Sequence, residues 1–297
     1  MHVKEGLYAL EAKLNLGIGT KVTNYDGGFV LVTNADGYPP DIELATGAVM
    51  SGLWCGGVKV PAEDFGRFVD MPTGSTVKNC TFWGYADCIH PKPDVTITRN
   101  RFVNCGWGVY SHDIYVSSGI METTKIIENI HLGGEGYKIH LYHEPEGITV
   151  HANFMAASAV SDLAVQEGHD TVTNNILWGP VAASYWNAHE CQFNRNIFGV
   201  DRAAFADVTS EEGQSNPADG NVFCNGQTPF GTNAQVWDAD DIAANLGHTK
   251  GEIDAAIASL VTAFTTLAPA DLYTFHAGVD ADFAVIETVI DAWKDQI

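Results

Sequence analysis

Basic residues are scarce in this chain: 15 Lys and Arg stand against 37 Asp and Glu among 297 residues, a net charge of −22. Nucleic acids and anionic membranes are gripped through clustered cations, so neither is expected as a partner. No run approaches the roughly 18 apolar residues of a membrane-spanning helix. The N-terminus MHVKEGLYALEAK lacks the basic, apolar and small-residue order of a secretory signal. Folding in a cytoplasm is therefore expected, with a virion or the extracellular space reached after assembly. The six cysteines (Cys55, Cys80, Cys88, Cys105, Cys191, Cys224) form no CxxC pair and read as reduced, packed thiols. His140, His143 and His151 do not make a recognised metal spacing, and neither a metal nor a cofactor is predicted.

What the chain does have is a repeat. VKNCTF, ITRNRF, IIENIHL, TVHANF, TVTNNIL, QFNRNIF and ADGNVF place Cys80, Asn100, Asn129, Asn153, Asn175, Asn196 and Asn221 in one register, at intervals of 20, 29, 24, 22, 21 and 25 residues. Short β-type segments at that period mark a solenoid whose coils stack on one another. Asn suits a sharp bend because it tolerates the left-handed conformation and bonds nearby backbone. Stacked at strand spacing, the amides can also bond each other in a ladder, and six steps of about 4.8 Å give a regular rod roughly 29 Å long.

Residues 1–75 read as a cap and irregular first coils, 76–237 as the regular solenoid, and 238–297 as an acidic helical segment. Leu7, Leu10 and Leu14 predict a short capping helix over residues 5–16. At the other end Ile253, Ile257, Leu260, Phe264 and Leu267 form one helical seam, and Phe283, Ile286, Ile290 and Trp293 a second. Two uses remain open for these helices: packing on their own solenoid, or joining rods into a homo-oligomer.

Within each coil a second strand follows, as HDIYVS, YKIHLY, SDLAVQ, SYWNAH and AFADVT. Alternation puts Ile114, Val116, Ile139, Leu141, Leu163 and Val165 in the core. The opposite, exposed face then carries Asp113, Tyr115, Ser117, Lys138, His140, Tyr142, Asp162 and Gln166. Asp113 and Asp162, two coils apart, would stand roughly 9 to 10 Å from each other, at the upper edge for an inverting glycosidase pair, with His140 between them. A β-elimination site would instead use Lys138 or His140 as base and Tyr115 or Tyr142 as proton donor. The bland alternative is a face that binds sugar through Tyr115, Lys138, Tyr142 and Gln166 without breaking a bond.

The coils from Cys80 to Asn221 resemble the right-handed parallel β-helix of the pectin-lyase-like superfamily, which includes pectate lyases, polygalacturonases and phage tailspikes. HDIYVSS and GYKIHLY resemble the HGIYIxN and GYGIHxY coils of bacterial and phage β-helix proteins, with Asp113 and Lys138 in place of glycines. The resemblance implies an all-β right-handed parallel β-helix. The NTD, DD, GHG and RIK motifs of polygalacturonase-like enzymes are missing from the coils, the pair Asp240 and Asp241 lying in the acidic tail. The expectation is a structural or receptor-binding rod, such as a phage spike, fibre or capsid-attached protein. Its partners would be a surface polysaccharide or other virion proteins. A polysaccharide hydrolase or lyase is the alternative.

Overall fold

Successive coils of the chain contribute strands to three sheets in turn, and the strands pair in parallel with the equivalent strand one coil away. The computed structural model describes the chain except residues 25–27, 59–67, 109, 122, 167, 180–182, 187–189, 200–204, 210–217, 225–228, 230 and 297. Among the described residues sheet A has ten strands, sheet B eleven and sheet C nine. The architecture is a parallel β-solenoid followed by three helices, α1 (Ala239–Leu246), α2 (Lys250–Thr266) and α3 (Pro269–Trp293).

The three sheets read differently in sequence because their outer faces meet different surroundings. Sheet A strands such as Thr76–Lys78, Thr96–Thr98 and Thr149–His151 bury only their middle residue. Those residues, Val77, Ile97, Ile126, Val150 and Val172, stack in register inside the solenoid. Sheet B strands are buried on both sides, as a parallel sheet covered on both faces must be. Their middle residues, including Phe82, Phe102, Met155, Leu177, Phe198 and Phe223, point into the core; Trp83, Val103, Leu132, Ile176 and Ile197 point outward. One member of the inner column is polar, His131, which lies flat against Phe102 with ring centroids 4.6 Å apart.

The Asn ladder runs along the corner between sheets A and B. The backbone N–H and the side-chain Nδ2 of Asn100 both donate to Oδ1 of Asn129, at 2.9 and 3.0 Å. The same pair of bonds joins Asn129 to Asn153, Asn153 to Asn175, Asn175 to Asn196 and Asn196 to Asn221. Cys80 closes the series by donating its N–H to Asn100 Oδ1 at 3.0 Å. The bend itself is made one residue earlier than the ladder suggested. Positive φ belongs to Asn79, Arg99, Glu128, Ala152, Asn174, Arg195 and Gly220, so one residue turns the chain and the next satisfies the buried polar groups that the turn exposes.

The capping helix expected over residues 5–16 does not form. Gly6–Leu10 and Leu14–Leu16 are strands, the first in register with Val30–Asn34 and the second with Ile42–Leu44. Leucines three and four apart satisfy a helix only when one side is presented to a core. Here Leu7 stays exposed, while Leu16 enters the core with Leu10 and Leu14 packed against it. Pairing with the next coil thus overrides the local pattern. Strands from residues 2 to 75 belong to the same three sheets as the regular coils.

The C-terminal helices pack on their own solenoid. Ile253, Ile257, Leu260, Phe264, Phe283, Ile286, Ile290 and Trp293 are buried in one cluster with the outer side chains of sheet B, and Leu267 packs against it. Capping boxes start α1 at Asp238 and α2 at Thr249, and Pro269 opens α3. Arg101 of sheet B fixes α3: its Nη1 lies 2.7 Å from Asp280, its Nη2 2.7 Å from Glu287, and its guanidinium 4.2 Å above the Phe283 ring. The helical seams are spent within the chain. Among the described residues no helix is long and apolar enough to cross a membrane.

Candidate functional site

Sheet C carries two polar clusters, one outside the solenoid and one within it. The outer cluster is built on the strands Ile89–Pro91, His112–Ile120 and Tyr137–Glu146. Tyr115 pairs with His140, Ser117 with Tyr142, and His112 with Tyr137. Because Ile114, Val116, Ile139 and Leu141 fill the core, the residues between them face outward. Tyr115 and Tyr142 are half-buried there, and His140, expected on the exposed face, is instead buried by the rings around it.

The rings of this patch hold one another. His112 lies 4.5 Å from Tyr115 and His140 4.5 Å from Tyr137, centroid to centroid, with Tyr142 4.9 Å from His140. At the strand start, Asp87 Oδ1 accepts the backbone N–H of His112 at 2.7 Å and meets its Nδ1 at 3.0 Å. His112 Nε2 in turn lies 2.8 Å from Nδ1 of His140. This chain of bonds assigns the tautomers: Nδ1–H of His112 donates to the carboxylate, and Nδ1–H of His140 donates to Nε2 of His112. Nε2 of His140, a buried atom, is then the unprotonated one. Desolvation raises the phenols of Tyr115 and Tyr137 above their ordinary value, which keeps both as donors. Beyond His140 the column continues with Ala164, which is fully buried.

The inner cluster holds the other residues expected on the exposed face. Asp113, Lys138 and Asp162 are fully buried, which overturns their placement in solvent and with it the Asp113–Asp162 glycosidase pair and Lys138 as an elimination base. Each sits just before a paired core residue, Ile114, Ile139 or Leu163. At this corner two successive residues turn inward, as Cys88 and Ile89 do one coil earlier. His131 Nδ1 lies 3.0 Å from Asp113 Oδ2, and Lys138 Nζ lies 3.8 Å from Asp113 Oδ1. Asp162 Oδ2 accepts the N–H of Gly179 at 2.7 Å. Burial pushes the Asp162 carboxyl up to about 7, and burial lowers the His131 imidazole despite its Asp113 partner.

The side chains of Gln166 and His143 lie outside the described residues. Asp87 was not legible as a site residue, nor was the role of His112. The signal was available in the repeat: aligning ADCIH (86–90) with SHDIY (111–115) sets Asp87 beside His112. All six cysteines are free and buried.

No protein-family model, curated protein or solved structure matches the chain. The parallel solenoid is consistent with a β-helix, and the likeness to the pectin-lyase-like superfamily stays a resemblance.

Proposed function

We propose that this protein is a binding rod that recognises a polysaccharide on the outer face of sheet C, as a spike, fibre or capsid-attached component of a phage virion would. The observation that carries this reading is the mutually packed patch of Tyr115, Tyr137, Tyr142, His112 and His140, with donors and acceptors fixed by Asp87. Aromatic faces suit the C–H faces of sugar rings, and phenols bond their hydroxyls. The net charge of −22 and the burial of Lys138 favour a glycan without carboxylates.

One arrangement favours a second reading, a glycan hydrolase or lyase. The Asp87–His112–His140 chain leaves the buried Nε2 of His140 unprotonated, which is the form of a general base. One experiment separates the two. The intact protein is presented to a panel of neutral bacterial surface glycans, and both bound glycan and released product are measured. Binding without new reducing ends or unsaturated product, weakened roughly tenfold or more by Tyr115→Ala or Tyr142→Ala, supports the binding rod. Turnover that His140→Ala abolishes supports the enzyme. If no glycan binds, the proposal fails.

A further inference from the structure

The inner cluster of sheet C has a composition that a rod core does not need for packing. An amine, two carboxyls and an imidazole are enclosed together without exposure. Nζ of Lys138, Oδ1 of Asp113 and Oδ1 of Asp162 have no hydrogen-bond partner among the described residues, although the first two form an ion pair at 3.8 Å. A buried pair of that kind gives little stability, since the loss of hydration offsets its attraction. The site nevertheless keeps room for it. A Cβ on Gly179 would come within 2.4 Å of Asp162 Oδ1.

The geometry points to a covalent bond here: Lys138 Nζ and Asp113 Cγ condense to an isopeptide that ties two adjacent coils together. The reaction needs no oxidant and no cofactor. One proton first passes from the ammonium to Oδ1 of Asp113, leaving a neutral amine and a neutral acid. The nitrogen lone pair then attacks Cγ, while His131 donates Nδ1–H to Oδ2, where negative charge develops. Asp162 gives its proton to the departing Oδ1 hydroxyl, which leaves as water, and takes one back from the nitrogen. The products are one amide, one water and a regenerated carboxylic acid.

Two physical arguments favour the forward direction. Groups held in place react with effective concentrations on the order of 10⁵ to 10⁸ M in well-oriented cases, and the closed interior keeps bulk water from reversing the step. The product also settles the unpaired atoms. Its C=O can accept from His131, and two buried charges disappear. The raised carboxyl of Asp162 supplies the proton carrier near neutral pH.

Intact mass of the purified full chain under denaturing conditions tests this directly. The expected mass is about 18 Da, one water, below the 32.0 kDa of the unmodified sequence. Trypsin should fail to cut after Lys138, leaving residues 102–125 joined to residues 126–195 through Asp113 and Lys138. The full sequence mass in the folded wild-type protein overturns the proposal, and so does a dehydrated chain whose fragments show no 113–138 link. Asp162→Asn, read in the same way, should slow the bond by roughly 10²-fold or more, so that the unlinked chain dominates after purification. Linkage of that variant at the wild-type rate would remove Asp162 from the mechanism.

Discussion

Asn153 shows how much one side chain can hold at a solenoid corner. Its Oδ1 accepts from the N–H and the Nδ2 of Asn129, and its Nδ2 donates to Ile126 O and Asn175 Oδ1. Replacing it with Ala strands a buried N–H on one side and an acceptor on the other, so Asn153→Ala should destabilise by about 2 to 4 kcal/mol. A urea midpoint that barely moves would show that the ladder is ornament. Asp162 makes a second prediction at this scale. In the unfolded chain its proton leaves near pH 4, in the folded chain near 7. Between those values the folded state binds the extra proton, so this residue's contribution to stability falls as pH rises. Asp162→Asn stays neutral and keeps an acceptor for Gly179. Its stability relative to wild type should therefore climb from pH 4 to 7, by at most roughly 1.4 kcal/mol per unit; parallel curves would contradict the burial argument. The slope is the readout, independent of any constant offset.

At the scale of elements, legibility followed how far a pattern depends on its neighbours. The ladder could be read because seven segments repeat one register. The seams of α2 and α3 were readable from spacing, yet their destination was not, since an apolar helix face fits equally well a sheet of its own chain or a second rod. The 5–16 segment was misread because Leu7, Leu10 and Leu14 meet a helical spacing by accident, and only the paired strand Val30–Asn34 reveals the alternative. Asp113, Lys138 and Asp162 were misplaced for a geometric reason: alternation holds along a flat strand, and these residues sit at its corner. Tyr115 and Tyr142, further along the strands, face outward as alternation requires, whereas His140 on the same face is buried.

For the whole molecule, sheets A and C meet solvent with largely polar outer faces, whereas the outer face of sheet B is apolar along much of the rod and depends on α1 to α3. Trp54, Trp83, Phe154 and Trp178 would all be laid bare by removing residues 239–297. A chain ending at Asp238 should therefore self-associate or aggregate, seen as a rise in mass by light scattering. If it remained a well-behaved monomer, the helices would not be serving as the cover described above.

The corner between sheets A and B also decides where this architecture can grow. Successive amides sit one strand spacing apart whether 20 or 29 residues separate them in sequence, so coil length varies without disturbing that edge. The longest interval, Asn100 to Asn129, contains the nine-residue strand His112–Ile120. The spine is thus a fixed hinge line, like the binding of a book, and pages of unequal width can be sewn into it provided that the surplus emerges on the sheet C side, where the rings are displayed.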